Sequence, residues 1–163
     1  MDDDGGSVRT HVRRAGPEDA GMVARLLDDF NTEFGSPTPG AAVLAERLRR
    51  LLGSEQTRAW LGWQDPGGAP DGVALVTRRP NVWWDGPVDL LDELYVVPPR
   101  RSQGLGARLI AAVLDDARAG GVTLVEVPVD APDADARRFY RRQGFQEIDP
   151  ETGDHALLLW HQI

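Results

Sequence analysis

Residues 94–109 read L-Y-V-V-P-P-R-R-S-Q-G-L-G-A-R-L, an apolar run that passes through a basic, glycine-bearing turn into a helical pattern. A strand feeding a helix through such a turn commits the chain to an α/β arrangement with an anion site at the junction. The turn from Arg101 through Ser102, Gln103, Gly104, Leu105, Gly106 and Ala107 supplies backbone N–H groups that lack intrahelical acceptors, at the positive end of a helix dipole. Its two glycines let a ligand approach the backbone closely. A P-loop does not fit, because G-x-x-x-x-G-K-[ST] needs a lysine beside its Ser or Thr. A dinucleotide fingerprint does not fit either, since Arg108 and Leu109 follow the second glycine where G-x-G-x-x-G needs another.

At 163 residues the chain suits one domain, expected over residues 8–163 behind an acidic, disordered tail at 1–7. That tail has no apolar centre and reads as neither signal peptide nor membrane span. Cysteine is absent, which removes disulfides, thiolate metal sites and a thiol nucleophile, and the expected setting is cytoplasmic. A formal net charge of −8 repels nucleic acid and gathers cationic small molecules; plain solubility is the alternative account. His11, His155 and His161 are scattered, so no metal is expected.

Period-two alternation from Val8 to Arg14 predicts a first strand. Pro17, Glu18 and Asp19 open a helix whose apolar face is Met22, Val23, Leu26, Leu27 and Phe30, ending near Asn31. After a break at Phe34 to Pro39, Val43, Leu44, Leu48, Leu51 and Leu52 mark a second helix stopped by Gly53. Arg58–Gln64 and Gly72–Arg79 read as an antiparallel hairpin. The loop Asn81–Pro87 carries two adjacent tryptophans, one expected to plug the core edge and the other to line a pocket. Val88–Val97 is a fourth strand, with Leu90, Asp92, Leu94 and Val96 on one face and Leu91, Glu93, Tyr95 and Val97 on the other. A helix from Leu105 stops at Gly120 and Gly121. Val122–Val129 reads as a fifth, doubly buried strand, against which Pro128 stands as a conflict. Asp133–Gln143 is a short helix capped by Gly144, with Ala136, Phe139 and Tyr140 inward. Gln146–Ile148 and Ala156–His161 are expected to pair as strands.

Two motifs stand in order: R-x-x-G-x-G at Arg101, Gly104 and Gly106, and D-x-x-A-x-x-F-Y-x-x-x-G-F at Asp133, Ala136, Phe139, Tyr140, Gly144 and Phe145. Together they resemble the GCN5-related N-acetyltransferase (GNAT) family, and the resemblance can be followed from Trp83 to Phe145. It implies a twisted mixed sheet with helices on both faces and a V-shaped gap between strands four and five, where Pro128 would make no ladder bond. It implies acetyl coenzyme A as co-substrate, with its pyrophosphate on Arg101–Ala107 and its pantetheine arm against the backbone of Leu94, Tyr95 and Val96. Asp133 stands where many members carry Asn, and either meets the coenzyme arm or caps its helix. Tyr140 either protonates the departing thiolate, as the family's tyrosine does, or fills core space.

Asp92 and Glu93 resemble, in reversed order, the acidic pair of spermidine/spermine-type members, which also carry a tryptophan and a glycine at the positions of Trp84 and Gly86. One of the pair is the expected base for an attacking amine, with solvated charges or arginine partners as the alternative. Strict alternation puts them on opposite faces unless a bulge at the splay point re-aims either, and the resemblance favours Asp92; Glu126 is a weaker candidate. Phe34 and Trp84 fall on the expected acceptor side. The implied function is direct acetyl transfer to the primary amine of a small cationic substrate, with no metal, nucleic-acid or membrane partner and a homodimer allowed. Its rivals are a noncatalytic acyl coenzyme A binding module and a protein or peptide N-acetyltransferase.

Overall fold

A computed structural model describes residues 10–149 and 151–155. Strands His11–Ala15 (β1), Thr57–Trp63 (β2), Gly72–Arg79 (β3), Val88–Val96 (β4) and Leu124–Glu126 (β5) form one sheet in chain order. The first three pairings are antiparallel and β4 with β5 is parallel, so the sheet is mixed as expected. Helices Ala20–Glu33 (α1), Ala41–Leu51 (α2), Leu105–Ala119 (α3) and Ala134–Arg142 (α4) complete the described elements. Contacts divide the chain into two compact units, one ending at Glu126 and the other beginning at Val127. No helix among the described residues is long and apolar enough to cross a membrane.

In the first unit, α1 and α2 bury one face of the sheet in a core that includes Val23, Leu26, Leu48, Leu61, Val73 and Tyr95. The opposite face takes α3. Its seat is a pair of glycines, Gly62 on β2 directly across from Gly72 on β3. A Cβ on Gly62 would stand 2.6 Å from Leu105 Cδ1, and one on Gly72 would stand 3.0 Å from Leu109 Cδ1 and 3.2 Å from Leu105 Cδ2. Both leucines are fully buried, so the hollow in the sheet is what lets the first turn of α3 lie against it.

A buried ionic cluster braces the same face. Arg78 on β3 donates to both oxygens of Asp89 on β4 at 2.7 and 2.8 Å and to Asp116 of α3 at 3.1 Å. Arg58 on β2 donates to Asp116 at 3.0 and 3.2 Å. Gly120 leaves the space that the Arg78 guanidinium fills.

Several expected boundaries shift. Of the first strand, Val8 and Arg9 lie outside the described residues, as does the expected tail. Pro17–Asp19 forms a separate 3-10 turn, and α1 runs on to Glu33. The fifth strand is not the long, doubly buried element expected: it spans three residues, Leu124 is exposed, and Val125 and Glu126 are half-buried. Valine richness at 122–129 reflects local propensity, whereas pairing is limited to the register Val88↔Leu124 through Leu90↔Glu126. Pro128 lies beyond the strand, which removes the conflict. The tryptophan loop also differs. Trp83 is 86% and Trp84 53% exposed, so neither plugs the core. The loop is closed by its own polar groups, Trp83 N–H donating to Asn81 Oδ1 at 2.7 Å, and by Gly86, where any Cβ would strike the Gly121 carbonyl.

In the second unit, Asp133 accepts from Ala136 N–H at 2.9 Å and caps α4. Gly144, at φ 91°, ends it in a Schellman motif, with Phe145 N–H donating to the Tyr140 carbonyl and Gly144 N–H to that of Arg141. Ile148 and His155 make an isolated antiparallel bridge; the expected partner strand Ala156–His161 lies outside the described residues.

Candidate active site

The end of β4 passes through a 3-10 turn at Pro98–Arg100 and enters α3 at Leu105. Ser102 at φ 61° and Gly104 at φ 86° both adopt the left-handed conformation, which folds the loop back over the helix start. Gly104 is the N-cap, and no side chain caps the helix. Space around a Cβ on Gly104 is open. The loop is held from outside: Gln103 donates to the Pro99 carbonyl at 3.1 Å, and Gln64 to that of Arg100 at 3.1 Å. First-turn N–H groups at a helix start that no side chain caps, behind a glycine with open space over it, fit a phosphate-bearing ligand such as the pyrophosphate of coenzyme A.

β4 continues to Val96 although its register with β5 stops at Leu90↔Glu126. The stretch containing Leu94, Tyr95 and Val96 therefore has no β5 partner among the described residues. On its other edge β4 is paired with β3, but the register slips between Leu75 and Val76, so that Leu91 faces Val76 and Glu93 faces Leu75. Asp92 is the extra residue of a β-bulge. The bulge overturns the expected alternation. Glu93 shares the face of Leu75 and Tyr95, and Asp92 reaches the same face by accepting from Thr77 Oγ1 at 2.7 Å. Two adjacent carboxylates thus lie on the side of the sheet covered by α1 and α2, not on opposite sides.

Their electrostatics follow from this placement. Burial pushes the Asp92 carboxyl up, against the Thr77 hydrogen bonds that hold it down. Burial also pushes Glu93 up, and the neighbouring Asp92 charge pushes it further. A carboxylate raised in this way is a better proton acceptor than one in water. Glu126, the alternative base, is paired with Arg79 at 2.6 Å.

Near the other end of this face, Phe34 follows the last residue of α1 and is 60% exposed, its ring edge-on to Phe30 at 5.1 Å. Phe30 lies against Tyr95 at 5.3 Å. In the second unit, Tyr140 is half-buried, with ring contacts to Phe139 at 5.2 Å and Phe145 at 5.5 Å.

Sequence reasoning missed Glu33. Both its oxygens accept from the Arg101 guanidinium at 2.7 Å, and Tyr95 O–H donates to it at 3.0 Å. Nothing in the spacing of a glutamate at the end of a helix signals a partner in a loop so far along the chain. Arg101, expected on the pyrophosphate, has its side chain turned to Glu33 and to the Val96 carbonyl at 2.8 Å.

Residues 23–145 match the acetyltransferase (GNAT) family. A crystal structure from Arthrobacter sp. FB24, provisionally named an acetyltransferase, superposes with a TM-score of 0.87 at 46% identity, covering 99% of this chain and 100% of that one. The aminoalkylphosphonate N-acetyltransferase of Salmonella typhimurium is 39% identical over 57 residues, 35% of this chain and 37% of that protein. A mycothiol acetyltransferase of Beutenbergia cavernae is 31% identical over 143 residues, 84% of this chain and 45% of that protein. The matches thus span less than half the length of these two curated relatives. With a mixed sheet that pairs only the first residues of β4 to β5, and a glycine-led helix start following β4, the chain belongs to the acetyltransferase (GNAT) family.

Proposed function

We propose that the protein is an acetyl coenzyme A-dependent N-acetyltransferase acting on the primary amine of a small, cationic molecule. The observation that carries this reading is the helix start at Gly104, without a side-chain cap, joined to a β4 strand that outruns β5. The backbone of Ser102–Ala107 would hold the pyrophosphate, and the free edge at Leu94, Tyr95 and Val96 the pantetheine arm. Bound acetyl coenzyme A supplies the acyl group in activated form, as a thioester.

An alkyl ammonium acceptor, with a pKa near 10, has to lose a proton before its nitrogen can attack. Asp92 and Glu93 are the candidate acceptors of that proton, and their joint negative charge would also attract the cation. Tyr140 O–H is the candidate donor to the departing sulfur; its support is its place in the second motif. Asp133, as the cap of α4, would act on the coenzyme arm only through that helix. Phe34 and Trp84, both exposed, are candidate walls for the acceptor.

The test is release of free thiol from acetyl coenzyme A against a panel of polyamines, aminoalkylphosphonates, aminoglycosides, amino acids and peptides. Turnover confined to small cationic amines supports the proposal. Coenzyme binding without turnover on any acceptor would instead favour a noncatalytic binding module. Loss of coenzyme binding by calorimetry in a folded Gly106→Val variant is the companion expectation, because a branched side chain there would displace the pyrophosphate from the helix start.

A further inference from the structure

The arginine that opens the glycine motif is engaged by the protein itself. Its guanidinium forms a two-pronged pair with Glu33, Nη1 to Oε1 and Nη2 to Oε2, each at 2.7 Å. Its Nε donates to the Val96 carbonyl at 2.8 Å, and the group sits 5.5 Å above the Tyr95 ring. Tyr95 O–H in turn donates to Glu33 Oε2 at 3.0 Å. Arginine's fork is thereby spent on one carboxylate, one strand carbonyl and one aromatic face.

The neighbouring arginines point the same way. Arg100 Nε lies 3.5 Å from Asp71 Oδ1, and Arg108 Nη1 donates to the Thr10 carbonyl at 3.2 Å. Every arginine flanking the loop is therefore engaged with the protein itself.

We infer that Glu33 is a positioning residue for the coenzyme loop: through Arg101 it fixes the path from β4 into α3, so that ligand phosphate is held by backbone N–H groups and not by the Arg101 charge. This rests on the coenzyme reading of the loop. Glu33 is the last residue of α1, one before Phe34, so the same contact ties the acceptor-side end of α1 to the coenzyme side. Placement of one wall is then linked to placement of the other.

The two roles of Arg101 predict opposite signs. If Arg101 served phosphate, removing the competing negative charge of Glu33 would free it and tighten coenzyme A. As a strut, the same change loosens the loop and weakens binding. The experiment is calorimetry of coenzyme A on the wild type, Glu33→Gln, Arg101→Gln, Arg101→Lys and the double Gln variant, at two salt concentrations, with thermal melts as the check on folding.

Expected are weaker binding in Glu33→Gln, on the order of tenfold, and a double variant no worse than Arg101→Gln alone. Arg101→Lys should fail like Arg101→Gln, since it keeps the charge but loses the fork. The salt dependence of binding should be unchanged in the Arg101 variants, and KM for acetyl coenzyme A should rise while kcat stays nearly constant. Tighter binding in Glu33→Gln, a wild-type-like Arg101→Lys, or a shallower salt dependence in Arg101→Gln would overturn the inference while leaving the coenzyme site standing. A wild-type protein that does not bind coenzyme A would remove the site itself.

Discussion

Thr77 Oγ1 donates a 2.7 Å hydrogen bond to Asp92 Oδ2 across the β3–β4 ladder. That bond holds the bulged residue on the face where Glu93 already points, and it makes a single acidic locus of two residues that strict alternation would separate. A β-bulge acts here by re-aiming a side chain.

The two carboxylates should therefore substitute for one another. Asp92→Asn and Glu93→Gln are each expected to lower kcat/KM for a cationic amine by no more than about threefold, while the double variant falls by roughly 10² to 10⁴, the usual worth of general base catalysis. Steady-state kinetics on the three variants checks this, and independent, multiplicative effects would contradict it.

The sign of the pH response differs from that of an isolated base. Because the Asp92 charge helps to raise Glu93, removing it in Asp92→Asn lets the Glu93 pKa fall. The limb of the kcat/KM profile that reports Glu93 should move to lower pH in that variant. An unmoved limb would mean that Glu93 does not take the proton.

Stability carries the opposite dependence from that of a salt-bridged acid. Folding raises both carboxyls above their unfolded values of about 4, so their stabilising contribution is complete below that pH and is lost as pH rises through the folded values. At pH 8 the half-buried negative charges weaken the fold. Glu93→Gln should raise the urea midpoint at pH 8 and leave it nearly unchanged at pH 4, a gain in stability set against a loss in turnover.

Tyr140→Phe should keep coenzyme binding and slow kcat by roughly 10² to 10⁴. Calorimetry together with initial rates separates the two effects, and a wild-type kcat would mean that Tyr140 does not protonate the departing sulfur.

Asp89 is fully buried and is one of two carboxylates on Arg78. Asp89→Ala should destabilise the protein by about 1 to 3 kcal/mol, because the half-buried Arg78 guanidinium loses two hydrogen bonds and keeps only that to Asp116, with chemical denaturation as the measurement.

The helix faces and the glycine turn were legible because each states its period or its backbone demand locally: Leu105, Leu109 and Val113 recur at helical spacing, and Gly104 takes a left-handed φ. A bulge near the splay point could be entertained, but its position was not legible. Leu91, Asp92 and Glu93 include no glycine or proline, and its signature is the register against β3, a property of two strands together. β5 was overread for a related reason, since valines at 122–129 announce extended backbone but not where a partner ends. Glu33 was invisible because an ion pair across the fold leaves no spacing in the sequence.

The hollow formed by Gly62 and Gly72 has a consequence in time. Both glycines belong to a hairpin complete in the chain well before Leu105 emerges, so the seat precedes its occupant during synthesis. The place for Leu105 and Leu109 exists only where β2 and β3 pair in the register that sets Gly62 across from Gly72. A truncated chain ending before α3 would carry the seat without the helix start that fills it.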